Sequence, residues 1–182
     1  MKIDKFFLNN SAKLIDLSCF KDKRGFFTEI FTKKKFKKLS LHENFVQINH
    51  SYNKNVNTIR GLHFQSRPFS QAKLIYVISG SIYDVFIDLR KKSKNYGIIN
   101  TVKLNSSKKQ ILYIPKFCAH GFCTLEKNTN VIYLTSNYYE KKSEQTIKYN
   151  DDYLNIKWPT KKNKIYISDN DLNGKKFKEI NY

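Results

Sequence analysis

The sequence is poor in the residues that staple, break or anchor a chain. Cysteine occurs three times, at Cys19, Cys118 and Cys123. That odd number, at spacings unlike metal-binding motifs, argues against a disulfide framework; a reduced, cytoplasmic setting is expected. No run approaches 18 apolar residues, so no transmembrane helix is expected. The opening segment, Met1-Lys2-Ile3-Asp4-Lys5-Phe6-Phe7, lacks the apolar stretch of a secretory signal. With six Gly and three Pro in 182 residues, no linker or low-complexity segment stands out, and no internal repeat divides the chain. We expect one domain over residues 1–182, large enough to bury a core without metal or disulfides. Acidic residues are also few: 15 Asp and Glu against 34 Lys and Arg, for a net charge of +19.

Such a charge ordinarily points to nucleic acid or a membrane surface. Here the basic residues are 30 Lys and only four Arg, and Asn occurs 19 times. An AT-biased genome would write that composition on any tolerant surface, and the lysines are scattered along the chain. We read the charge as surface composition with a general attraction for anions, and expect neither a nucleic-acid nor a membrane partner. The same bias makes Arg24, Arg60, Arg67 and Arg90 informative. A guanidinium is hard to replace where a planar fork grips phosphate or carboxylate. Arg24 and Arg60 each precede a Gly in a strand-like context, where a structural ion pair is the competing reading.

What the chain does have is aromatic and β-branched periodicity, with 14 Phe and 12 Tyr. Short strands are predicted over 13–20, 25–31, 45–52, 58–64, 97–104, 110–114, 121–125 and 131–136. Lys73 to Ile78 and Ile82 to Leu89, joined by Ser79-Gly80-Ser81, read as the clearest hairpin. Regular spacing with intervening turn residues predicts an all-β antiparallel sandwich or barrel, such as a jelly roll. Thr32 to Leu39 is the one candidate helix of the N-terminal half, with Thr32 as N-cap. Residues from about 160 to 182 read as a short appendage folding back on the barrel.

Four His occur: His42, His50, His63 and His120. No His-x-His is present, which disfavours a cupin-type metal site. Strand alternation puts Ile59, Gly61 and His63 on one face, with Arg60, Leu62 and Phe64 on the other. A His facing a barrel cavity can serve as a base when a carboxylate orients it; it can equally be a hydrogen-bonded core residue. Lys73 opens an apolar strand, so its ammonium could reach a semi-enclosed site and stabilise an oxyanion. Tyr133 is a core aromatic or a proton donor. His120 enters a strand as a turn or site residue, and Tyr138-Tyr139 form a stacking platform or cap the barrel.

These blocks together carry a resemblance. Arg24-Gly25-Phe26-Phe27, Gln47-Ile48-Asn49-His50-Ser51, Arg60-Gly61-Leu62-His63-Phe64-Gln65 and Gln71-Ala72-Lys73-Leu74 are followed by Gly80 to Val85, Asp88-Leu89-Arg90, Pro115 to Phe122, Tyr133 to Tyr139 with Glu144, and Ile156 to Pro159. In that order, over residues 14–174, the chain resembles the dTDP-4-dehydrorhamnose 3,5-epimerases. These are cofactor-independent enzymes of sugar-nucleotide metabolism with a cupin-type jelly-roll β-barrel and a few short peripheral helices. The resemblance implies epimerisation at carbons 3 and 5 of a dTDP-4-keto-6-deoxyhexose, on the route to rhamnose for surface polysaccharide. It implies no metal and no cofactor, and a homodimer with exchanged strands. His63 would be the base, Lys73 the enolate stabiliser and Tyr133 the acid. Ser168-Asp169-Asn170-Asp171 aligns with the segment that orients the base; Asp171 is the chosen partner and Asp169 the fallback. Arg24 and Arg60 would hold the diphosphate. Glu29, Gln47, Ile48, Asn49, His120, Tyr139, Glu144 and Asn170 fall at further substrate-binding positions. Ile48 replaces the family's Asp and Asn170 its Lys, departures that bear on base or sugar identity. The remaining alternatives are a single-centre epimerase, a non-catalytic anion-binding barrel and a metal-dependent cupin.

Overall fold

The apolar runs are explained by sheets that are covered on both faces. In the computed structural model, which describes residues 1–160 and 164–182, two antiparallel sheets face one another. The chain runs β1 (Lys2–Phe7), β2 (Ala12–Asp16), β3 (Cys19–Asp22), β4 (Gly25–Thr28), α1 (Lys33–Lys38), β5 (Gln47–Asn53), β6 (Ile59–Gln65), β7 (Lys73–Ser79) and β8 (Ser81–Asp88). It continues through β9 (Ile99–Asn105), β10 (Gln110–Ile114), β11 (Cys118–Thr124), β12 (Thr129–Thr135), β13 (Glu144–Thr146) and α2 (Asp169–Leu172). One sheet has the order β1-β2-β10-β7-β12-β5, the other β13-β6-β11-β8-β9, and β3-β4 forms a separate ribbon. The architecture is a cupin-like β-barrel, as the sequence led us to expect.

Between the sheets lie Leu14, Ile75, Val77, Phe86, Leu112, Phe122 and Val131. The other side of the six-stranded sheet buries Leu74, Tyr76, Ile111 and Leu134 against Phe36 of α1. The far side of the five-stranded sheet buries Leu62, Val85, Ile87 and Ala119 against Phe177 and Ile180 of the C-terminal segment. So Leu74-Ile75-Tyr76-Val77 is apolar throughout because successive side chains enter different layers, both dry. The C-terminal segment returns to the sheets at two points: Tyr166 bridges Thr58 and Lys175 bridges Ile147. Lys161, Lys162 and Asn163, part of that expected appendage, lie outside the described residues.

Three expectations are corrected. First, β7 and β8 are not a hairpin. They belong to different sheets, and each is already paired on both edges: β7 by β10 and β12, β8 by β9 and β11. Gly80 turns the chain from one layer to the other at φ +76, and a Cβ there would fall 2.3 Å from Thr129 Oγ1. Second, the strand expected over 13–20 breaks after Asp16; its second half leaves the sheet to pair with β4 as an exposed ribbon. Third, β1 was not foreseen. Its side chains are mostly exposed, so it carries no periodic signal, and it is held by its ladder with β2. In α1, Thr32 occupies the N-cap position but its side chain makes no capping bond.

Candidate active site

A cavity of about 480 Å³ opens between the two sheets. The five-stranded sheet contributes Arg60, His63, Gln65, His120, Phe122 and Glu144 to its wall; the six-stranded sheet contributes Gln47, Asn49, Lys73, Ile75, Val131 and Tyr133. Tyr139 and Gln71 complete the rim.

The alternation expected for β6 does not hold through its middle. Arg60 and His63 both border the cavity, while Leu62 turns into the outer apolar layer. The cause is an extra residue in β6: His63 pairs with His120 and Arg60 with Phe122, so three steps on one strand match two on the other. A bulge of this kind re-aims a side chain. Gly61 sits inside it at φ +98, where a Cβ would be 2.6 Å from the His120 carbonyl oxygen. Only glycine permits that approach.

His63 Nε2 lies 2.5 Å from Asp171 Oδ1. The Gly61 N–H donates to the other oxygen, Asp171 Oδ2, at 3.1 Å. Asp171 is held in α2, whose N-cap Ser168 accepts from the Asp171 N–H. Burial pushes the Asp171 carboxyl up, but the His63, Gly61 and Ser168 hydrogen bonds and the His63 charge outweigh it and bring it below its usual value. An Nε2–H donated to this carboxylate leaves Nδ1 as the basic nitrogen. Asp171, not Asp169, is thus the neighbour of His63.

Lys73 donates from Nζ to the His63 carbonyl oxygen at 3.3 Å. Burial pushes this ammonium down to about 8, opposed by the charges of Asp84, Cys118 and Glu144. Tyr133 lies on the opposite wall from His63, and burial raises its phenol above the ordinary value, so it keeps its proton at neutral pH. His120 Nε2 is 2.8 Å from Asp84 Oδ2, forming a second imidazole–carboxylate pair. Burial pushes His120 down, against the Asp84 charge and hydrogen bond.

At the mouth, Arg60 Nε donates to Asn53 Oδ1 at 2.7 Å. Among the described residues it has no carboxylate partner, so its charge is available to an anion. Gln47 bonds Asn49 and receives the Tyr139 N–H, and the Tyr139 hydroxyl donates to Glu144 Oε2 at 2.8 Å. Four expected binding residues lie outside this chain's cavity. Arg24 is exposed in the β3-β4 ribbon and pairs with Asp22. Glu29 pairs with Lys35. Ile48 is exposed on the face of β5 opposite Gln47 and Asn49. Asn170 is exposed beside Thr146. Among the described residues no cluster of three or more His, Cys, Asp or Glu side chains forms a metal-ligand set.

Sequence reasoning missed Asp84, Gln71 and Asn53 as parts of the site. Asp84 did carry a signal: it interrupts the apolar strand Ser81–Asp88 and is fully buried. A carboxylate in that setting needs a partner.

The family model described as dTDP-4-dehydrorhamnose 3,5-epimerase matches residues 10–179. The chain is 40% identical to the dTDP-4-dehydrorhamnose 3,5-epimerase of Shigella flexneri over 164 residues, covering 90% of this chain and 89% of that one. Its structure is similar to that of the Bacillus anthracis enzyme with TDP and PPi bound, with TM-score 0.92 and 40% identity over 96% of this chain and 98% of that one. It is also similar to the Legionella pneumophila enzyme in complex with dTDP-4-keto-L-rhamnose, with TM-score 0.91 and 34% identity over 97% and 93%. With a matched family model spanning nearly its whole length and a relative at this identity, the chain belongs to the dTDP-4-dehydrorhamnose 3,5-epimerase family.

Proposed function

We propose that this epimerase inverts carbons 3 and 5 of dTDP-4-keto-6-deoxyglucose through enolate intermediates, giving dTDP-4-keto-rhamnose in the cytoplasm for surface polysaccharide. The observation that carries the reading is the placement of a carboxylate-held imidazole and a protonated phenol on opposite walls of one cavity, with an ammonium beside them. The 4-keto group acidifies the hydrogens on both flanking carbons. His63 Nδ1 takes the proton, and the imidazolium formed is stabilised by Asp171. The electron pair moves onto the keto oxygen, where Lys73 stabilises the negative charge. Tyr133 returns a proton from the other face, which inverts the centre. The phenolate is then reprotonated from solvent, and His63 releases its proton.

Arg60 grips the diphosphate, Gln47, Asn49, His120 and Glu144 contact sugar and nucleotide, and Tyr139 stacks on the base. Arg24 reaches a cavity from the other subunit of a homodimer. Phe20, Phe26 and Phe27 of the ribbon and Ile48 and Tyr52 on the edge strand β5 are all exposed in one chain. A second copy seated on them would bury that apolar area and carry Arg24, Glu29 and Ile48 with it. Light scattering should give twice the 21.6 kDa chain mass, and Arg24→Ala should raise KM several-fold with little change in kcat; a monomer in solution sinks this arrangement.

The deciding experiment is proton NMR of dTDP-4-keto-6-deoxyglucose with the protein in deuterium oxide. Loss of the carbon-3 and carbon-5 proton signals is expected, and neither should be lost with His63→Ala. Exchange at one carbon would make this a single-centre epimerase. No exchange by the folded protein, or full exchange by the His63 variant, would overturn the mechanism.

A further inference from the structure

Asp84 is a buried carboxylate beside the cavity to which the mechanism assigns no task. It sits at the centre of β8, paired with Val102 and Phe122, and is fully shielded from solvent. One oxygen, Oδ2, accepts from His120 Nε2 at 2.8 Å; the other, Oδ1, is buried with no partner. A carboxylate oxygen left this way is costly unless a positive charge lies near it. Lys73 is the cation of that neighbourhood: its Nζ reaches the carbonyl oxygen of His63, whose ladder partner His120 holds Asp84, without a direct ion pair to the carboxylate. Its ammonium has three donors and uses one, to the His63 carbonyl oxygen.

The titratable groups around Lys73 come from five strands: His63 (β6), Asp84 (β8), Cys118 and His120 (β11), Tyr133 (β12) and Glu144 (β13). Burial holds the Cys118 thiol and the Tyr133 phenol in their protonated, neutral forms, and pushes His120 toward neutrality. His63 is committed to Asp171, and Glu144 accepts the Tyr139 hydroxyl at the rim. Asp84 is left as the buried carboxylate of this cluster, and among the charges opposing the desolvation of Lys73 it comes first.

We propose that Asp84 is a positioning residue of the reaction: it holds Lys73 as the ammonium that meets the enolate oxygen, and so sets the alkaline limit of activity. His120 is the spacer, fixing one carboxylate oxygen so that the other stays turned inward. The inference rests on the enolate role given to Lys73 above.

The test is the pH profile of kcat/KM. The wild-type profile should fall on its alkaline side near 8, the value to which Lys73 is brought. Lys73→Arg should remove that limb, because a guanidinium does not titrate in this range. Asp84→Asn should move the limb down by about one pH unit, the size expected when a nearby buried opposite charge is removed. His120→Gln keeps the carboxylate and a donor for it, and should leave the limb in place whatever it does to kcat. An Asp84→Asn profile lowered equally at every pH would overturn the proposal, since a packing defect alone does that. An alkaline limb that survives Lys73→Arg would instead overturn the enolate role of Lys73. Should Asp84→Asn not fold, lysine-labelled NMR of the wild-type protein, with the Lys73 signal assigned by Lys73→Arg, decides. A midpoint near 8 is expected; one near pH 5–6, typical of a buried lysine without a counter-charge, would overturn it.

Discussion

His63 and His120 stand directly opposite one another across the β6–β11 ladder, and each places Nε2 on an aspartate. The chemistry is the same and the surroundings are not. The His63 side chain is 34% exposed at the cavity, and its partner Asp171 is brought by the C-terminal segment. The His120 side chain is 8% exposed, and Asp84 is inaccessible within the sheet. A pair open to the cavity can gain and lose a proton in each cycle. A pair sealed in the wall cannot charge its imidazole cheaply, so it acts as a fixed electrostatic element. Environment, not residue type, separates the proposed base from its neighbour.

The comparison breaks most readily at His63. His63→Gln should lower turnover by roughly 10³-fold, in the usual range for losing a general base, and His120→Gln by much less. Equal losses, measured as deuterium incorporation rates, would erase the distinction. Next in size is Asp171→Asn, expected to cost on the order of a hundredfold in kcat by freeing the ring and its tautomer. Asp171 also ties pH to stability. Its folded value is depressed, so its stabilisation is full above the ordinary carboxylate range and is lost as pH falls through the folded value. Denaturant unfolding below about pH 4 should therefore show a steeper loss for wild type than for Asp171→Asn.

Tyr133→Phe sharpens the contrast between the two walls. Deuterium should still enter at the acidified carbons, while inverted product falls about tenfold or more, because abstraction and return use different sheets. Exchange and inversion falling together would remove Tyr133 from the acid role. The smallest effect belongs to stability. Lys73→Met should abolish activity and lower Tm by about 4 °C or more, because it leaves the Asp84 carboxylate buried without a counter-charge. In the wild-type chain the cost of burying the ammonium itself is full below about 8 and is relieved as pH rises toward the ordinary lysine value of 10.5. An unchanged or higher Tm at neutral pH would mean that Asp84 does not rely on Lys73.

Most strands were legible because burial on two faces leaves continuous apolar and aromatic runs, as in 73–78 and 82–89. Layer membership was not. Periodicity records that a residue is buried, not against which sheet, and so the arch at Gly80 read as a hairpin. The site was legible in part through scarcity: where Lys serves almost everywhere, Arg60 stood out, and His63 is one of four histidines. Arg24 stood out equally, yet in a single chain it rests on Asp22 in the exposed ribbon.

Composition and local pattern thus determined the all-β class and most of the strand content and singled out His63, Lys73 and Tyr133 as candidates, while Asp171 came only from the family resemblance of residues 168–171. Tertiary structure decided which of these meet. The extra residue at Gly61 turns Arg60 and His63 to the same cavity, α2 brings Asp171 across 108 positions of sequence, and Asp84 and Lys73 join one buried cluster only because β7 and β8 lie in opposing sheets. Ladder pairing and layer stacking join residues far apart in the chain, and no local periodicity encodes them.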